Sequence, residues 1–273
     1  MDPLTLTGLI VMGSGAGVLG TLFGLGGGII FVPLLMLIFG LAPTEAVAVS
    51  LIGIVAGSVG ASTVYVDKGQ SNVRLGLLLE ITTATGAIIG AFVATLMEEW
   101  LLMVIFSAMV IYSGIRMILS PERVVEPSNE RDRMSFEYLD ESTGEITPYQ
   151  VQNVKGGVLA CTVAGMISSM TGVGGGAVKV PLMNLYMHIP LKAASATSSY
   201  MIGITAFSGA IVYLLEGQVL LDYAAGVAIG AFIGAIIGTF LSRRISGKRF
   251  RKYFSIVLFV MSALVLLQAG GII

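Results

Sequence analysis

Polar and apolar positions in this chain come in long blocks. Charge-free runs occupy 3–44, 46–66, 81–97, 100–115, 156–178, 193–215, 223–242 and 253–273. A helix that crosses lipid needs about 20 mainly apolar residues, so most runs match one span and the first matches two. Dividing the first and fifth runs at their glycine clusters, and extending others past single charges, predicts ten segments. They are 4–22, 29–41, 46–66, 75–97, 100–119, 155–170, 177–188, 193–215, 222–242 and 250–269. The expected fold is an all-α polytopic membrane protein with glycine-interrupted segments, broken or re-entrant.

Composition agrees. Charged residues make up 11% of the 273 residues and hydrophobic ones 55%, with a mean hydropathy of +0.92. Soluble domains average about 25% charged residues, so lipid is the expected solvent for most of this chain. Met1, Asp2 and Pro3 supply no basic n-region, and no cleaved signal is expected. A net charge of −1 offers no basic surface for nucleic acid. The one cysteine, Cys161, excludes an intrachain disulfide, and with the one histidine, His188, leaves too few soft ligands for a metal enzyme. No cofactor is expected.

One block breaks the apolar rhythm. Residues 120–153 hold 11 of the 31 charged residues, too many for lipid. This segment reads as a solvated linker, although "STGEITPYQVQ" also has the turn-then-alternation pattern of a short hairpin. Basic residues gather at Lys68 and Arg74, at Arg116 to Lys155, at Lys192, and at Arg243 to Lys252. Ten crossings place all four clusters on one side. The positive-inside rule makes that side cytoplasmic and puts both termini outside. A re-entrant pair preserves the same parity.

The chain also repeats itself. At a shift of 148, residues 24–36 match 172–184 at seven of thirteen positions. Val64-Tyr65 meets Val212-Tyr213, Gly69-Gln70 meets Gly217-Gln218, "GAIIG" at 86–90 meets 234–238, and Phe106-Ser107 meets 254–255. The expected organisation is a five-segment unit (1–119), a cytoplasmic polar loop (120–153) and a second unit (154–273). An odd number of segments inverts the second unit, as in transporters whose sites lie where two interrupted helices meet.

The strongest match pairs "GLGGGIIFVP" (24–33) with "GVGGGAVKVP" (172–181). Irregular backbone at membrane depth is tolerated where it is buried in protein or lines a wet cavity. Each motif reads as an extended loop feeding a short helix with proline in an early turn. Gly26, Gly27, Gly28, Gly174, Gly175 and Gly176 would then present amide N–H groups and two helix N-termini to an anion. The alternative is that these glycines allow close helix packing. Lys179 stands where the first copy has Phe31, a lone positive charge for an anion to neutralise, unless it snorkels to the interface. Ser50, Thr197, Ser198 and Ser199 offer hydroxyl donors, or else hydrogen bonds between helices. Thr21, Ser168, Ser169, Thr171 and Asn184 are weaker candidates. Glu80 reads either as a proton relay or, preferably, as a group paired near the cytoplasmic face.

With these two motifs and the polar central loop, the sequence resembles the TauE/SafE family of sulfite exporters and sulfonate permeases over nearly its whole length. The resemblance implies a transporter of a small anion, sulfite or an organosulfur anion. No ATP-binding signature is present, so an ion gradient, a coupling proton among the candidates, or the membrane potential must drive it. The residues leave open an anion channel, or a carrier of a non-sulfur anion such as a carboxylate. The expected partners are that anion and the bilayer. Oligomeric state, direction and coupling ion are not legible.

Overall fold

The computed structural model describes residues 2–67, 69, 71–119, 135–140, 145–242 and 247–271. The helices are α1 (Pro3–Phe23), α2 (Gly28–Phe39), α3 (Pro43–Asp67), α4 (Val73–Thr95), α5 (Glu99–Leu119), α6 (Val154–Thr171), α7 (Gly176–Pro181), α8 (Leu191–Leu215), α9 (Leu221–Ser242) and α10 (Gly247–Ala269). A π turn, Leu182–Tyr186, continues α7. All ten expected segments are helical. Seven of them (α1, α3, α4, α5, α6, α8 and α9) are long and apolar enough to cross a membrane. In α10 the apolar part is Leu258–Ala269. The chain is a polytopic membrane protein.

The glycine-divided pairs are hairpins with one short arm. At 1.5 Å per residue, the 12 residues of α2 reach about 18 Å, well under a hydrocarbon core of roughly 30 Å. Its direction is fixed by two contacts. Near its start, a Cβ on Gly20 would lie 2.2 Å from Gly27 N; near its end, the Phe39 ring lies 3.6 Å from a Cβ position on Gly8. So α2 folds back along α1. The second copy does the same, with Tyr186 against Gly156 and Met187 against Gly157.

Packing follows the 148-residue shift. Helix α1 lies on α9 and α6 lies on α4, while α3 crosses α8 and α5 pairs with α10. The repeated "GAIIG" shows why those sequences recur. A Cβ on Gly86 would lie 2.0 Å from Thr162 O in α6, and one on Gly234 2.1 Å from Ser14 O in α1. Backbone meets backbone there, the close approach that small residues permit between membrane helices.

The polar block is not only a linker. Strands β1 (Ser135–Asp140) and β2 (Glu145–Gln150) form an antiparallel hairpin with Ser135 opposite Gln150. Tyr149 is buried, packs on Phe136, and accepts a 3.0 Å hydrogen bond from Asn72 Nδ2 at the start of α4. Asn72 Oδ1 in turn accepts from Leu75 N, capping α4. One tyrosine therefore fastens the hairpin to the helix cap. The linker expected for 120–134 and 141–144 lies outside the described residues.

Candidate functional site

The two glycine turns lie against one another in the middle of the bundle. Gly24, Gly26 and Gly27 have φ of +66°, +78° and +85°, and Gly172, Gly174 and Gly175 have +66°, +84° and +75°. A side chain disfavours that region, so the turns need glycine. The last glycine of each triplet answers a different demand. A Cβ on Gly28 would lie 2.0 Å from Gly172 O, and one on Gly176 2.1 Å from Gly24 O. Ile54 and Ile202 both flank Gly26, and both flank Gly174. Open backbone and close packing, alternatives in the sequence, divide the triplet between them.

Two of the candidate hydroxyls pin these turns. Ser50 Oγ donates to Gly172 O at 2.8 Å, and Ser198 Oγ donates to Gly24 O at 3.3 Å. Tyr65 and Tyr213 repeat the pattern one turn earlier, donating to Thr21 O and Ser169 O. Thr197 Oγ1 accepts from Asn72 N, and Ser199 Oγ donates back to Ser195 O. The donor protons of Ser50, Ser198 and Ser199 are thus held by backbone carbonyls. Ser169, Thr171 and Asn184 are likewise bonded to backbone carbonyls.

Lys179 corrects the sequence reading. It is neither unpaired nor snorkelling: its exposure is 0%, and its ammonium lies 3.2 Å from Glu80 Oε2. Glu80, expected near an aqueous face, is 2% exposed in the interior. Thr205 stands between them, accepting from Lys179 Nζ and donating to Glu80 Oε1. Three elements build this cluster: α4 brings Glu80, α7 Lys179 and α8 Thr205. An anionic ligand is therefore not needed to offset the buried ammonium, since a carboxylate already does so.

Beside the cluster one polar atom is left over. Ser168 Oγ, in the last turn of α6, is buried and has no hydrogen-bond partner among the described residues. It lies 3.1 Å from a Cβ position on Gly175, which is itself 3.5 Å from Lys179 Cε. The lysine stem, the orphan hydroxyl and the second glycine turn share one small volume. Buried polar atoms without partners are uncommon in native proteins and call for an explanation.

Thr205 was missed in the sequence, as was the partnership of Glu80 with Lys179. A signal existed. At the 148-residue shift, Lys179, Glu80 and Thr205 fall on Phe31, Ala228 and Gly57. Three polar residues, one in the first unit and two in the second, answer three nonpolar ones at the mirror positions, and three such coincident departures point to contact. Among the described residues no cluster of His, Cys, Asp and Glu could hold a metal ion.

Ten helical segments, two interlocked helix breaks in the bundle core and a buried charge cluster are those of a polytopic membrane protein, and comparison with known proteins gives its family of transporters. The family model "Sulfite exporter TauE/SafE" matches residues 9–265, and the chain belongs to that family. A probable membrane transporter of Bacillus subtilis, YunE, is 28% identical, covering 93% of this chain and 94% of its own. A probable membrane transporter of Methanocaldococcus jannaschii is 26% identical over 97% and 96%. A shorter stretch of 70 residues is 39% identical to "Sulfite exporter TauE/SafE family protein 5" of Arabidopsis thaliana, covering 26% of this chain and 15% of that one. No solved structure matches the chain.

Proposed function

We propose that the protein is a secondary transporter moving a small anion, sulfite or an organosulfur anion, across the cytoplasmic membrane. It works by alternating access around the interlocked glycine turns. The substrate lies against Gly174–Gly176 of the second turn, where Lys179 supplies positive charge and Ser168 a hydroxyl. The observation that carries this reading is the buried Lys179 ammonium beside an orphan hydroxyl and an irregular backbone. Charges inside membrane spans mark substrate pathways by default.

Units 1–119 and 154–273 are inverted relative to each other, and residues 120–153 are cytoplasmic with both termini outside. The support is reciprocity: Ser50 meets Gly172 as Ser198 meets Gly24, a pattern that a two-fold exchange of the units produces. The family description and the Arabidopsis relative's name favour sulfite as the first anion to try.

The experiment is flux into proteoliposomes holding the purified protein. Saturable sulfite uptake, with acceleration by sulfite trapped inside, supports a carrier. Unsaturable flux without counterflow makes it a channel. No flux of sulfite or methanesulfonate above empty liposomes overturns the reading.

A further inference from the structure

The Lys179–Glu80 pair sums to zero charge in a dry interior. Adding a substrate anion there leaves a net negative charge out of water, an arrangement proteins avoid. A second cation must arrive, or an anionic charge must be cancelled. A metal cation fits poorly, because it would sit against an ammonium 3.2 Å from the only carboxylate in the cluster. Cancelling the carboxylate needs only a proton.

We propose that Glu80 is the proton-binding residue of the transport cycle, taking up one proton with each substrate anion and thereby releasing Lys179 to hold that anion. This rests on the anion-transport reading above. The step is a proton transfer from water to the Glu80 carboxylate. No other bond is made or broken, and the carboxyl becomes neutral as a singly charged anion, bisulfite or a sulfonate, arrives, so the cluster keeps its total charge.

The geometry provides for both states. In the present state Thr205 Oγ1 donates to Glu80 Oε1, but it also lies 3.2 Å from Met201 O, a second acceptor in its own helix. When Glu80 is protonated, the threonine hydroxyl can turn to Met201 O, leaving its lone pairs for the new carboxyl proton. Lys179 Nζ, no longer drawn to Glu80, stays within reach of the turn where Ser168 Oγ waits unpaired. The ammonium and that hydroxyl are the two donors an oxyanion requires.

The groups facing Glu80 are few. Helix α7 brings Lys179, α8 brings Thr205, and α6 brings the Cys161 thiol. Besides Lys179, whose ammonium the proposal keeps charged, Cys161 is a neighbouring group that can exchange a proton, so it is the control. The mirror positions, Phe31, Ala228 and Gly57, carry no titratable side chain. The repeat therefore does not need a proton site at this place, and only one of the two mirror-related places carries the charged residues.

The test is sulfite-induced infrared difference spectroscopy on the protein in lipid, run beside thermal melting with the same anion. Wild type is expected to melt higher with sulfite and to gain a protonated-carboxyl C=O band above the amide envelope. Glu80→Gln should lack the band and Cys161→Ser should keep it. A melting shift without the band, or a band that survives Glu80→Gln, overturns this inference and leaves the transport reading standing. No melting shift with sulfite or methanesulfonate overturns both. A second measurement compares pH profiles. One linked proton makes sulfite affinity fall about tenfold more steeply per pH unit in wild type than in Glu80→Gln. Sulfite's own ionisation is common to both proteins and cancels. Equal slopes overturn the proposal.

Discussion

Ser50 in α3 donates its hydroxyl to the backbone carbonyl of Gly172, 122 residues away, at 2.8 Å. Gly172 is the left-handed cap that follows Thr171 at the end of α6, and its buried carbonyl points away from the helix. The bond therefore satisfies a buried carbonyl of the second turn and ties the two halves of the chain together. Ser50→Ala should cost about 1–3 kcal/mol, the usual penalty for stranding a buried acceptor. Melting in detergent checks it, and Ser198→Ala should behave alike.

Substitution at Gly28 or Gly176 should be far more damaging. An alanine at either puts a methyl 2.0 or 2.1 Å from a carbonyl oxygen of the opposite turn. The backbones must part, and we expect loss of transport with a melting temperature many degrees lower. Gly15, exposed in α1 with no atom within 4 Å of a Cβ position, is the contrast. Gly15→Ala should be neutral or gain up to about 1 kcal/mol from helix propensity. Equal behaviour of Gly15→Ala and Gly28→Ala would show the turn contact to be unimportant.

Lys179→Met should destabilise the protein. It leaves Glu80 charged and buried without its partner, a change that costs about 3–5 kcal/mol. A lysine standing alone in the apolar interior would give the reverse, a variant at least as stable as wild type. Glu80→Met paired with Lys179→Met should recover most of the loss. A double-mutant cycle by thermal unfolding measures the coupling, and additivity of the two single effects would deny it.

Tyr149→Phe removes the acceptor for Asn72 Nδ2. We expect a loss of about 1 kcal/mol. Amide exchange should quicken in β1 and β2 more than in α3 or α8. Uniform exchange across the molecule would mean that the hairpin is not held by this bond.

Orientation can be read by labelling. On a background of Cys161→Ser, Glu137→Cys in the hairpin should react only with a membrane-permeant thiol reagent in intact cells. Glu216→Cys, exposed beyond α8, should react with an impermeant one. The opposite pattern reverses the topology.

Segment positions were legible because lipid imposes one rule on every span, and charge-free runs report it directly. All ten helices fall near their expected bounds. The hairpin was half legible: "STGEITPYQVQ" has the right alternation, but burial of Tyr149 depends on Asn72, far away in sequence. The charge cluster was least legible. Lys179 and Glu80 lie 99 residues apart on helices whose adjacency no local pattern encodes. Each charge was read alone, and a buried charge alone invites the wrong partner. Read together with Thr205 at the 148-residue shift, the same letters point to contact.

The interlocked turns also bear on biogenesis. Gly24 presents its carbonyl to Ser198, made 174 residues later. At synthesis rates of about 5–20 residues per second, the first hairpin waits roughly 10–35 s for that partner. During that interval its turn faces lipid, the translocon or a chaperone. The first half can insert as it emerges from the ribosome, but it cannot finish folding until the second half has been threaded into the bilayer. Ribosome stalling between 120 and 153 should therefore yield an inserted product in which a cysteine placed at residues 24–28 reacts with a small membrane-permeant thiol reagent faster than in the finished protein.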